Sequence, residues 1–504
     1  MIPKPSSVKV LTAAAAAQLV APEAVVTISG AAGNLVPDAL LRAIRQRFDQ
    51  HGEPYGLTAI CPVAVGDVFE IPGLDHLASP RLLSTIVCGS YVYGRRPDTG
   101  EEPEITKLVL SGKIAAYNFG IGVVYNALRE SAANRPGLIT RIGLGTFQDP
   151  RDRGGRLHDT APQRFVTVCP LDGEEYLRYQ FPAVDVALVR GSTADEFGNI
   201  SAEREPIDGG IFVQALAAHN RGGKVIVQVE RLTEGRALPA RSVVIPGVLV
   251  DAVVIAPGEK QATGVEYDPY LSGELRAPNH RVEALSDPIE RAILDRAVER
   301  LPGAGLVILG FGIPSRIPDH PRLPEGLRFC VEHGAIGGSP AVGLQFGGAR
   351  NAEALIDTPS MFDLIDGGGC DMACLGFSEV ASDGSVNVSR LPNAIPGSGG
   401  FTNITASTRE ILYCGAFTAG GLKVEYQGDS VRILQEGRFK KFVRAPREIT
   451  FNATRNAGIR VTYVTDRCII ERRGERLVVT AVYPGIDLQR DILAQSEFEL
   501  GVEV

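Results

Sequence analysis

Short, uninterrupted apolar runs ending in glycine or proline turns alternate along the chain with stretches whose apolar residues recur every third or fourth position. Ala24-Val-Val-Thr-Ile28 runs into Ser29-Gly-Ala-Ala-Gly-Asn-Leu-Val-Pro37. The stripe of Leu40, Ile44 and Phe48 then predicts a helix over 37–48. In the second half, Ser286-Asp-Pro opens a helix with Ile289, Ile293, Ala297 and Leu301 on one face, stopped by Pro302-Gly303. The strand Leu306-Val-Ile-Leu309 and the turn Gly310-Phe-Gly-Ile-Pro314 follow. Apolar strands without inside/outside alternation, separated by helices, predict an α/β fold with mostly parallel sheets and helices on both faces.

The pattern occurs twice. Asp185-Val-Ala-Leu-Val-Arg-Gly191 followed by Asp195-Glu-Phe-Gly-Asn-Ile-Ser201 is answered by Asp371-Met-Ala-Cys-Leu-Gly376 followed by Asp383-Gly-Ser-Val-Asn-Val-Ser389. In each copy the next apolar strand, from Val225 or Ile411, begins 40 residues after the first aspartate. The glycine turns at Gly30 and Gly310 lie 280 positions apart and the aspartates 186, so the first half carries about 94 additional residues. Two related open α/β halves are therefore expected, 1–280 and 285–504, joined through a linker at Arg276-Ala-Pro-Asn-His280. An insertion over roughly 50–160 is the expected source of substrate selectivity. Ligands in such folds sit beyond the carboxyl ends of strands, and between halves.

With 504 residues, more than one core is expected. A net charge of -8 argues against a broad nucleic-acid or anionic-membrane surface, and no apolar run approaches the roughly 20 residues of a membrane span. Lys4 and Lys9 before the alanine-rich 11–20 loosely imitate a leader, but Gln18 interrupts the run and a strand follows closely, so a short helix feeding a sheet fits better. The eight cysteines lie mostly in apolar runs, and Cys370 and Cys374 have no nearby histidine; reduced buried thiols and no metal site are expected. The whole is the composition of a cytoplasmic globular enzyme.

Candidate chemistry centres on Glu332, an isolated acid between the apolar Phe329-Cys-Val331 and the turn containing Gly334, Gly337 and Gly338. Glycines there let a ligand approach the backbone, although a surface acid at a strand corner would read the same way. Three glycine clusters accompany it: Asp366-Gly-Gly-Gly369, Gly397-Ser-Gly-Gly-Phe-Thr-Asn403 and Phe417-Thr-Ala-Gly-Gly421. None has the order of a dinucleotide or nucleotide-triphosphate loop. Their free backbone N–H groups suit an anion or a thioester oxygen.

Glu332-His-Gly-Ala-Ile-Gly-Gly, Phe362-Asp-Leu-Ile-Asp-Gly-Gly-Gly-Cys-Asp371, Gly397-Ser-Gly-Gly-Phe401, Gly415-Ala-Phe-Thr-Ala-Gly-Gly421 and Pro484-Gly-Ile-Asp-Leu-Gln-Arg-Asp-Ile-Leu493 resemble the family I coenzyme A transferases, in their single-chain acetate or propionate form with fused alpha and beta subunits. Leu144-Gly-Thr-Phe-Gln-Asp-Pro-Arg151, Gly173-Glu-Glu-Tyr-Leu-Arg-Tyr179 and Gly223-Lys-Val-Ile-Val-Gln-Val-Glu230 agree as well, so the likeness spans nearly the whole chain. The resemblance implies a transfer of CoA between an acyl-CoA and a small carboxylic acid, with Glu332 as nucleophile and a glutamyl-CoA thioester as intermediate. It gives oxyanion and CoA binding to Gly397, Gly399 and Gly400, implies no permanently bound cofactor beyond CoA thioesters as substrates, and suggests a homodimer or homotetramer. Two departures mark the acceptor pocket. Family members read Asn-Leu-Pro-Gln-Gly, with the glutamine amide completing the oxyanion site, where this chain has Asn118-Phe-Gly-Ile-Gly122; and Ser-Gly-Pro, where this chain has His333-Gly334-Ala335. Ile121 cannot donate a hydrogen bond, so Asn118 or a backbone N–H is expected to substitute, or the pocket accepts a bulkier, more apolar acid, or transfer activity is altered or lost, with Ile121, Asn118 and His333 as the candidate acceptor-pocket residues. An acyl-CoA hydrolase or a non-catalytic CoA or metabolite-binding protein are the alternatives on the same fold.

Overall fold

The computed structural model describes residues 8–91, 99–235, 237–278 and 285–504. Residues 279 and 280 of the expected linker, the 281–284 that follow it, and Lys4 lie outside the described residues. Each half builds its own sheet. The first has eight strands, all parallel, in the order Val10–Leu11, Ala252–Ile255, Lys224–Val229, Val186–Arg190, Val25–Ile28, Leu57–Cys61, Leu83–Cys88, Ala115–Asn118. The second has ten strands around a parallel centre in the order Gly326–Cys330, Ala304–Leu309, Met372–Leu375, Glu410–Cys414, Arg460–Val464. Those five repeat the order of Leu57–Cys61, Val25–Ile28, Val186–Arg190, Lys224–Val229 and Ala252–Ile255 in the first sheet.

The repeated aspartates have a physical role. Asp185 Oδ2 accepts from the Val25 N–H at 2.8 Å, and Asp371 Oδ2 accepts from the Leu306 N–H at 2.8 Å. Each carboxylate thus satisfies the open end of the neighbouring strand and fixes its register. Apart from the edge strand Val10–Leu11, the strands without a parallel counterpart in the second sheet begin at Leu83 and continue through the three-stranded sheet that ends at Tyr179, somewhat later than the expected 50–160.

Both faces of each sheet are covered, which is why the strands lack alternation. On the outer faces, Val186, Leu188 and Ile226 pack on Leu40, Leu41 and Ile44 of the Asp38–His51 helix, while Met372, Cys374 and Leu412 pack on Ile293, Leu294 and Ala297 of the Pro288–Ala297 helix. Asp287 caps the second of these, accepting from the Ile289 and Glu290 N–H groups; the α-helix ends at Ala297, so Leu301 lies beyond it. The inner faces, with Ala187 and Val189 on one and Ala373, Leu375 and Ile411 on the other, enter one common core together with the helices Ile121–Ala132, Thr358–Asp366 and Phe401–Ser407. Seven cysteines are buried and Cys169 is half-buried, with Cys330 and Cys370 sulfurs 4.0 Å apart. Among the described residues no helix is long and apolar enough to cross a membrane.

Candidate active site

A cavity of about 420 Å³ opens where the two sheets face each other, a size typical of small-molecule sites. Its walls come from the carboxyl ends of parallel strands in both halves. Ala31, Val63, Ser90 and Ile121 follow four strands of the first sheet; Phe311, Glu332 and Phe377 follow three of the second. The Gly397–Phe401 loop and Ile404 close it. Of the three glycine clusters, only this middle one lines the cavity. Asp366–Gly369 ends a helix, and in the third cluster the Phe417 N–H donates to Asp466.

Glu332 stands two residues past the Gly326–Cys330 strand, its side chain 14% exposed. Gly334 makes that corner possible: its φ is +109°, and a Cβ there would lie 1.9 Å from the Ile356 carbonyl oxygen. Burial in apolar surroundings pushes the Glu332 carboxyl up to about 7, against the opposing effect of the Gly400 N–H that it accepts from. The approach to Gly400 is so close that a Cβ there would sit 2.0 Å from Glu332 Oε2. His333 Nε2 lies 3.7 Å from Oε1, and burial pushes the His333 imidazole down to about 4, leaving it neutral.

The other expected site residues divide by role. Gly399 donates to the Gly89 carbonyl at 2.9 Å and Gly397 to the Ser389 carbonyl at 3.2 Å, so their N–H groups are committed to holding the loop; Gly400 alone of the three presents its N–H to the glutamate. Asn118 lies behind the cavity rather than in its wall. Its amide donates to the Cys88 and Gly89 carbonyls, both at 2.8 Å, and its Oδ1 accepts from the Ser398 N–H at 2.8 Å. It is a clamp with no donor left for a substrate. Ile121 and His333 do line the cavity, and the Ile121 N–H donates to the Gly399 carbonyl at 3.0 Å.

Gln148 was missed by sequence reasoning. Fully buried, its Nε2 reaches Ser398 Oγ and Thr402 Oγ1, each at 3.3 Å, while its Oε1 accepts from the Gly120 N–H at 3.4 Å. It ties the start of the Ile121–Ala132 helix to the glycine loop of the other half. The only signal was an uncharged polar residue inside the quoted motif Leu144-Gly-Thr-Phe-Gln-Asp-Pro-Arg151.

Among the described residues, Glu332 and His333 are the only ionisable side chains in the cavity wall, and no cluster of side chains suited to a metal ion occurs. The arrangement therefore presents one carboxylate, beside the Gly400 backbone, to a largely apolar chamber.

The family model for coenzyme A transferase matches residues 10–256. The caffeate CoA-transferase of Acetobacterium woodii is 39% identical over 504 residues, covering 97% of this chain and 94% of the relative. The acetate CoA-transferase YdiF of Escherichia coli K12 is 34% identical over 498 residues, covering 97% and 92%. The crystal structure of the acyl-CoA transferase YdiF of Escherichia coli O157:H7, a thioester complex with CoA, superposes with a TM-score of 0.90 at 33% identity, over 99% of this chain and 95% of that one. With its doubled α/β architecture and its lone glutamate between the halves, the chain belongs to the coenzyme A transferase family.

Proposed function

We propose that this CoA-transferase uses Glu332 as its nucleophile and acts on apolar monocarboxylic acids. The observation that carries the reading is the contact between the Glu332 carboxylate and Gly400 at the floor of a cavity shared by both halves. The two halves, 1–280 and 285–504, then act as the two walls of one site.

A Glu332 oxygen attacks the acyl-CoA carbonyl carbon; the C–S bond breaks, CoA thiolate departs and an acyl-glutamyl anhydride forms. The thiolate then attacks Cδ of Glu332, forming a glutamyl-CoA thioester and releasing the first acid as its carboxylate. An incoming carboxylate runs both steps in reverse. No general base is needed, because every nucleophile is already an anion. Gly400 N–H holds the carboxylate for attack, and the apolar wall strengthens that interaction. The thioester complex of YdiF supports this sequence by kinship.

The wall supports the acid class. Ile121, Phe311, Phe346, Phe377, Phe401 and Ile404 offer apolar surface, and among the described residues no lysine or arginine lines the cavity to receive a second carboxylate. The acetate and caffeate enzymes among the relatives both bear the names of monocarboxylic acids.

Intact-protein mass spectrometry after incubation with propionyl-CoA tests the nucleophile. A CoA-sized adduct is expected on the wild type and not on Glu332→Ala. An adduct that persists on Glu332→Ala, or none on a wild type shown to bind CoA, would overturn the reading.

A further inference from the structure

We propose that His333, as the neutral Nε2–H tautomer, donates to the oxyanion that forms on Glu332 when CoA thiolate attacks, supplying the side-chain donor that Ile121 cannot. The inference rests on Glu332 being the nucleophile.

Three observations carry it. First, the imidazole lies nearest Oε1 of the carboxylate, Nε2 3.7 Å from that oxygen, while Gly400 crowds Oε2. Second, the ring is only 4% exposed, and its Nδ1 has no hydrogen-bond partner among the described residues. A proton on Nδ1 would leave a buried donor unpaired and turn the Nε2 lone pair toward a carboxylate; a proton on Nε2 avoids both costs. Third, the ring is closely packed and its backbone is tied down. Gly347, with φ +123°, leaves room for it, since a Cβ there would lie 2.9 Å from His333 Cδ2, and Thr358 Oγ1 donates to the His333 carbonyl at 3.2 Å.

The Gly397 and Gly399 N–H groups are committed to backbone carbonyls, and the Asn118 amide to Cys88 and Gly89. When the thiolate sulfur bonds to Cδ, the C=O π pair moves onto the glutamyl oxygen, and the Nε2–H contact shortens as charge grows there. Collapse re-forms the C=O and breaks the Cδ–O bond to the departing acid. His333 keeps its proton throughout. Burial keeps the ring neutral, so it acts as a donor and not as a general acid.

Single-turnover formation of the CoA adduct from propionyl-CoA, followed by quenched-flow mass spectrometry, tests this in wild type, His333→Gln, His333→Asn and His333→Leu. Glutamine places an N–H at the reach of Nε2; asparagine places one only at the reach of Nδ1. Leucine and asparagine should slow the step by about 10²-fold, the loss typical of one oxyanion donor, whereas glutamine should stay within about tenfold of wild type. Wild-type rates in a folded His333→Leu, or equal losses in the glutamine and asparagine variants, would overturn the role of His333. Should His333→Leu not fold, the glutamine and asparagine pair decides alone. Loss of the adduct in the wild type itself would instead overturn Glu332, and His333 with it.

Discussion

Glu332 sits where charge is penalised, yet the nucleophile proposed for it is the charged form. Its carboxyl is raised from 4.5 to about 7 by burial, so below neutrality most of the free enzyme carries the neutral acid, which the proposed attack cannot use. We expect kcat/KM for acyl-CoA to rise about tenfold per pH unit below 7 and to level off above it, because this parameter reports ionisation of the free enzyme. Initial rates at subsaturating propionyl-CoA between pH 5 and 9 check this. A profile flat down to pH 5.5 would mean that the Gly400 N–H outweighs burial. Gly400 itself gives a second prediction. Its φ of -82° is open to alanine, and the closest obstacle to a new Cβ is the flexible end of Glu332, with Phe362 Cζ next at 3.3 Å. Gly400→Ala should fold with a stability change of about 1 kcal/mol, measured by urea unfolding. Adduct formation should nevertheless fall by about 10²-fold or more, because the carboxylate must swing away from its attack position.

The helix Ile121–Ala132 sets how closely the halves approach. A Cβ on Gly122 would lie 2.5 Å from both Asn403 Nδ2 and Phe362 Cδ1, two buried side chains without room to retreat. Gly122→Ala should therefore cost about 1–3 kcal/mol despite alanine's better helix propensity, and slow the adduct step as the glycine loop shifts. An unchanged urea midpoint and unchanged rate would show that other contacts set the approach. Elements of this kind were only partly legible in the chain. The doubled strand order was visible because Asp185 and Asp371 interrupt apolar runs at strand openings, and strand capping demands that charge at that place. The Glu332 corner was visible for a similar reason, since its glycines are needed for φ. The direction of an N–H leaves no such trace. Gly397, Gly399 and Gly400 look equivalent as letters, but two are tied to carbonyls and one faces the carboxylate. Gln148 and Ser398, 250 positions apart, meet only through the packing of one half on the other.

For the whole molecule, the common core is what turns two sheets into one chamber. Each half alone would leave the inner face of its sheet and the helices upon it without a covering layer; joined, they bury those faces and leave an apolar cavity at the strand ends. Substrate choice then follows from the chamber as a unit. An apolar acid exchanges water for phenylalanine and isoleucine walls while its single carboxylate meets the reacting centre. A dicarboxylic acid must bury a second charge with no cation in the described wall, which costs several kcal/mol. Even about 2.7 kcal/mol of that cost corresponds to 100-fold in specificity. With propionyl-CoA as donor, kcat/KM for 3-phenylpropanoate or 4-methylpentanoate should exceed that for succinate by at least about 100-fold, measured by competition with product analysis. Comparable rates would require a cation to reach the acid inside the chamber, and the apolar account of acceptor choice would fall while the role of Glu332 stood.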